Sequence, residues 1–141
     1  MEATRINQAW WALRITFGVI PIVAGLDKFF NLLTNWEQYL SPLALAASPI
    51  SGGALMRVFG LVEIAVGVLV LSRWTRLGAY VASAWLALIA VNLLTTGQYL
   101  DIAARDVAMA VAAFSLARLE EARGAARTRE PSRFVGSPAH V

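Results

Sequence analysis

Apolar residues fill this chain in four long blocks, Trp10 to Leu26, Arg57 to Leu71, Leu77 to Leu94 and Ile102 to Leu119, each interrupted by a few spaced glycines and charges. Each block is close to the roughly 20 residues that cross a hydrocarbon core of about 30 Å at 1.5 Å per residue. The pattern predicts an all-α membrane protein, an antiparallel bundle of four transmembrane helices at about residues 9–30, 53–72, 76–95 and 101–121. Together these form one domain, residues 1–121, and residues 122–141 are expected to be a flexible basic tail lying against anionic lipid head groups.

The interruptions recur at spacings of three and four, so each predicted helix carries a stripe suited to close packing. Arg14, Gly18, Pro21, Gly25 and Lys28 mark the first helix, and Gly53, Arg57, Gly60, Glu63 and Gly67 the second. On the third the stripe is Gly78, Ala82, Trp85, Ile89 and Asn92; on the fourth it is Asp101, Arg105, Ala108, Ala112 and Ser115, with Asp101 placed as an N-cap. Glu63 stands out, because a carboxylate in the middle of an apolar helix costs several kcal/mol unless paired or protonated.

Between the first two helices lies the longest link, Asn31 to Gly52, with Trp36, Glu37, Tyr39, Pro42, Pro49 and an apolar patch from Leu43 to Ala47. It reads either as a short helix lying on the membrane or as a lid or docking loop. Thr95 to Leu100, containing Gly97 and Tyr99, reads as a tight turn.

Composition supports the membrane assignment: 58% of the 141 residues are hydrophobic and the mean hydropathy is positive. Arg14 interrupts the first apolar block and the Ala44 to Ala46 pattern lies far beyond it, so the block is expected to be a retained helix and not a cleaved signal. With no cysteine, and a single histidine at position 140, thiol redox chemistry, metal–thiolate sites and paired histidine ligation of a haem fall outside this chain. No metal site and no cofactor held by the chain's own ligands is expected. Arg5, Arg73, Arg76, Arg118, Arg123, Arg127, Arg129 and Arg133 cluster at one end of the predicted bundle. By the positive-inside rule both termini are cytoplasmic, and the net charge of +3 signals orientation, not nucleic-acid binding.

With the helices antiparallel, Asp27, Lys28, Arg57, Asn92, Arg105 and Asp106 converge in the outer half of the bundle, Glu63 lies deeper, and Arg14 approaches it from the inner half. Three arginines, Arg14, Arg57 and Arg105, are expected to be matched by Glu63, Asp106 and one of Asp27 or Asp101. Two readings stand side by side: a charge network that fixes helix register, and a ligand or quinone site lined by Arg57, Glu63, Asn92, Arg105 and Asp106 on a supporting network of Arg14, Asp27, Lys28 and Asp101.

The segments RITFGVIPIVAGLDKF, FGLVEIAVGVLVL and RDVAMAVAAFSLARL resemble the DoxX-like family of small four-helix membrane proteins. The positions that carry the likeness are Arg14, Gly25, Lys28, Gly60, Glu63 and Asp106, and it runs from about Trp10 to Leu119. The resemblance implies a non-catalytic, multi-pass subunit of a bacterial-type inner membrane. It would sit in the lipid bilayer beside a protein partner in a quinone-linked redox complex, with a bound quinone as its ligand. The alternative is a small carrier for an anionic or amphiphilic solute, with the arginines as anion site and a homo-oligomer giving it room. A pure assembly factor, its charges fixing topology alone, is the third reading.

Overall fold

The computed structural model describes residues 1–129, whose regular elements are all helices, with no strand among them. Four long helices, α1 (Glu2–Asp27), α3 (Gly52–Leu71), α4 (Thr75–Thr95) and α5 (Leu100–Arg129), are joined by short links and by one structured loop. That loop holds a 3-10 turn, Trp36–Tyr39, and a short helix, α2 (Pro42–Ala47). Three of the helices, α1, α3 and α4, are long and apolar enough to cross a membrane, with only 22% to 33% of their apolar windows buried inside the protein. The remaining apolar side chains, Leu61, Leu88 and Val111 among them, face outward, as expected where lipid replaces water.

Two helix boundaries differ from expectation. Helix α1 starts at Glu2 instead of near residue 9, because the polar stretch 2–9 contains neither proline nor glycine and its acidic residue lies at the positive end of the helix dipole. Helix α5 continues past 121 to Arg129, through alanines and arginines that favour helix once the chain leaves an apolar setting. The expected domain boundary therefore falls inside α5, and the rest of the expected tail, 130–141, lies outside the described residues. Asp101 is not the N-cap: α5 begins at Leu100 and Asp101 sits in its first turn. The turn before it is tight, with Gly97 and Tyr99 at φ of 67° and 55°.

Glycine sets the closest contact. Gly18 opposes Gly67 and Gly25 opposes Gly60, so residue numbers rise along α1 as they fall along α3. A Cβ at Gly25 would lie 2.5 Å from the Gly60 carbonyl oxygen, and one at Gly60 would lie 2.6 Å from that of Gly25. Only hydrogen fits there. Between α4 and α5 alanine does the same work: Ala79, Ala82 and Ala90 on one helix, and Ala103, Ala110, Ala113 and Ala117 on the other, are buried. Ser83 adds a hydrogen bond to the Ala110 carbonyl at 2.8 Å. The inward stripe of α5 is thus Ala103, Asp106, Ala110, Ala113 and Leu116. The expected stripe lies elsewhere, with Asp101, Arg105, Ala108 and Ser115 all exposed. An alanine-rich run offers no contrast of size or polarity by which to choose a face.

Helix α1 is displaced lengthwise. Because Gly60 lies against Gly25 and Lys28, the eight residues of α3 before Gly60 extend about 12 Å past the C-terminal end of α1. The loop after α1 folds down into that space, burying Leu40 and Ser41. Asn92 near the end of α4 holds it there: its Nδ2 donates to the Tyr39 carbonyl at 2.7 Å, and its Oδ1 accepts from the Ser41 N–H at 3.1 Å. The loop is a fastened plug containing one short helix.

Candidate functional site

The displacement of α1 puts its last charged residue at the depth of the Glu63 carboxylate. Lys28 follows the end of α1 directly, and its Nζ donates to Glu63 Oε2 at 2.7 Å. Both side chains are at least nine-tenths buried, 5% and 9% exposed. Glu63 is therefore answered by a lysine of the neighbouring helix and by none of the arginines. In an apolar setting such a pair holds together because each charge removes the other's desolvation cost.

Trp36 caps the pair from the loop. Its ring lies 3.6 Å from Lys28 Nζ, a cation–π contact of about 2 kcal/mol when desolvated. The same indole donates through Nε1 to Asp27 Oδ2 at 2.8 Å. Asp27 also accepts the backbone N–H groups of Leu32 and Leu33, so its charge is spent on turning the chain out of α1 and fixing Trp36. Trp85 of α4 brings its buried indole N–H to the Glu63 carboxyl, within reach but without a hydrogen bond of normal geometry. Asp106 of α5 is 5% exposed and lies within electrostatic reach of both Lys28 and Glu63.

The other predicted site residues are placed differently. Arg14 lies at the far end of α3 from its N-terminus, donating to the carbonyls of Val70, Leu71 and Ser72 at 3.2, 2.6 and 2.9 Å, where it closes the C-terminus of α3. Its guanidinium stacks 4.8 Å from Trp10, and Arg123 of α5 lies 3.7 Å from the same ring. Arg57 is exposed and has no hydrogen bond or ion pair among the described residues. At 100° per residue it is about 120° around α3 from Glu63, so the shared stripe held only for Gly60, Glu63 and Gly67. Arg105 bonds the neighbouring Asp106 at 3.2 Å with its own side chain 65% exposed. Asn92 has both ends of its amide engaged by the loop, Nδ2 by the Tyr39 carbonyl and Oδ1 by the Ser41 N–H. The cluster assembled at the centre is Lys28, Glu63, Trp36, Trp85 and Asp106. The two tryptophans were missed as site members: Trp36 read as part of a surface loop and Trp85 as one more residue of an apolar stripe.

One apolar groove has a lining residue in contact with this cluster. It measures about 340 Å³ and runs between α2 and α3, from Ala44, Ile50 and Leu55 to Phe59. Phe59 packs edge-on against Trp85 with ring centroids 5.3 Å apart. No group of three or more metal-ligating side chains occurs among the described residues.

These features define a small helical membrane protein with an ion pair buried between its first two long helices. Residues 9–97 match the family described as DoxX, more than half of the chain, and the protein belongs to that family of small membrane proteins. The match includes Lys28, Trp36, Glu63 and Trp85 and ends before Asp106, so it is shorter than the likeness expected to reach Leu119. No curated protein and no solved structure matches the chain.

Proposed function

We propose that this protein is a non-catalytic membrane subunit of a quinone-linked oxidoreductase complex in a bacterial-type inner membrane. In this reading all four long helices span the bilayer as an antiparallel bundle with both termini cytoplasmic. Helix α5 carries Asp101, Arg105, Asp106 and Arg118 along its apolar stretch, which is why apolarity alone marks only three spans.

The observation that carries the proposal is the Lys28–Glu63 ion pair, 2.7 Å apart and at least nine-tenths buried at both ends, with the indole of Trp85 beside the carboxyl. An indole N–H and an ammonium in an apolar setting suit the carbonyl oxygen of a quinone head group. Trp85 and Lys28 would hold such a group as donors, while Glu63 and Asp106 would accept from its hydroxyl form. The groove ending at Phe59 suits an apolar tail. A quinone bound there supplies two-electron, two-proton carrier chemistry. The chain's own part is to orient the head group, to keep water out with Trp36, and to balance charge around it.

The carrier reading has less support. It relied on Arg14, Arg57 and Arg105 forming one anion site, and Arg14 stands at the opposite end of α3 from Arg57. Purification of the tagged full chain from its own membranes in mild detergent tests the proposal. An oxidoreductase subunit is expected to accompany it, and a chain that purifies alone, without partner or quinone, would overturn it.

A further inference from the structure

We propose that the cleft formed by Arg73, Trp74, Arg76 and Leu77 binds the phosphodiester head of an anionic phospholipid. The cleft measures about 320 Å³ and lies in the short link between α3 and α4, both long and apolar enough to span a membrane. A link between two such spans sits at the membrane surface, where phosphates are. Position alone therefore puts these side chains within reach of lipid heads, whichever leaflet they face.

The chemistry is matched to that position. Arg73 has no hydrogen bond or ion pair among the described residues and only stacks over Trp74, 5.5 Å from its ring. Arg76 is nearly as free. Its one acidic neighbour, Glu121, is 4.0 Å away and already accepts from the Tyr80 hydroxyl at 2.9 Å and from Arg118 at 2.6 Å. Two guanidiniums with unused donors thus flank one cleft, and guanidinium binds phosphate oxygens in a two-pronged geometry that suits a phosphodiester. Trp74 opens α4 without any side-chain cap on its first N–H groups, so the positive end of that helix dipole adds to the same field.

The remaining walls are apolar and exposed: Trp74 is 55% and Leu77 53% accessible. Indole at the head-group level and leucine one step deeper fit the glycerol and upper acyl region of a lipid. A free phosphate ion would gain nothing from them, and this decides for a lipid over a soluble anion.

Tryptophan quenching by lipids brominated on their acyl chains tests the site. The full chain is reconstituted in phosphatidylcholine vesicles carrying an equal minor fraction of brominated phosphatidylglycerol or brominated phosphatidylcholine, and the Trp74 signal is taken as the difference between the natural chain and Trp74→Phe. Brominated phosphatidylglycerol is expected to quench that signal at several-fold lower content than brominated phosphatidylcholine. The preference should vanish in the Arg73→Gln/Arg76→Gln variant and persist in Arg5→Gln/Arg127→Gln, which loses the same charge elsewhere. Equal quenching by the two lipids in the natural chain would overturn the proposal. So would equal loss of preference in both double variants, which would mark a diffuse field, or removal of the preference by inorganic phosphate at constant ionic strength.

Discussion

Removing either end of the Lys28–Glu63 pair leaves an uncompensated charge in the apolar interior, a change that costs about 3–5 kcal/mol, whereas replacing both ends with apolar side chains of similar size is often close to neutral. Lys28→Met and Glu63→Gln are accordingly expected to lower membrane accumulation and the unfolding temperature in detergent, with Lys28→Met the more damaging, because a lone Lys28 keeps the Trp36 ring and Asp106 near it whereas a lone Glu63 faces the like charge of Asp106. Lys28→Met/Glu63→Met should regain most of the loss. Glu63→Lys, which sets two ammonium groups against each other where a pair 2.7 Å apart now stands, is expected to abolish accumulation. Single variants as stable as the natural chain would show that the pair is not buried as described. Both residues were legible in the sequence as members of spaced stripes. Their pairing was not, because matching acids to arginines by depth presumed helices aligned end to end, and α1 ends about 12 Å short of the N-terminal end of α3.

Contact between elements depends on residues with almost no side chain. Gly25→Ala puts a methyl carbon 2.5 Å from the Gly60 carbonyl oxygen, so α1 and α3 must separate along their whole contact. A fall of several degrees in unfolding temperature is expected, and a larger one for Gly25→Leu. Gly124→Ala is the internal comparison: nothing lies within 4 Å of that position, and alanine should favour the helix by about 0.5–1 kcal/mol. Equal effects at the two positions would contradict the packing described. The glycine seam of α1 and α3 was readable directly from spacing. The inward face of α5 was not, since nearly every position from Ala108 to Ala113 is small, and only contact with α4 selects Ala110 and Ala113. The C-terminal extension of α5 was equally hidden, one of its contacts being the Arg123–Trp10 stack between residues far apart in sequence.

At the scale of the whole molecule, the absence of cysteine makes topology directly measurable by single cysteine substitutions. Ser48→Cys and Gln98→Cys should react with a membrane-impermeant maleimide on intact cells, and Ala125→Cys and Arg73→Cys only after permeabilisation. Reaction of both sets from outside would refute the four-span arrangement. The helical membrane class was legible from the apolar blocks, whereas the plug formed by the loop after α1 was not, because Trp36 and Asn92 acquire their roles only when the displaced α1 leaves a gap to fill. Everything proposed about function converges on that plugged centre. The most direct test is the quinone content, by solvent extraction and mass spectrometry, of the natural chain and of Lys28→Met/Glu63→Met purified side by side from the same membranes. The account predicts quinone with the natural chain and several-fold less with the folded double variant; equal quinone in both, or none in either, would contradict it.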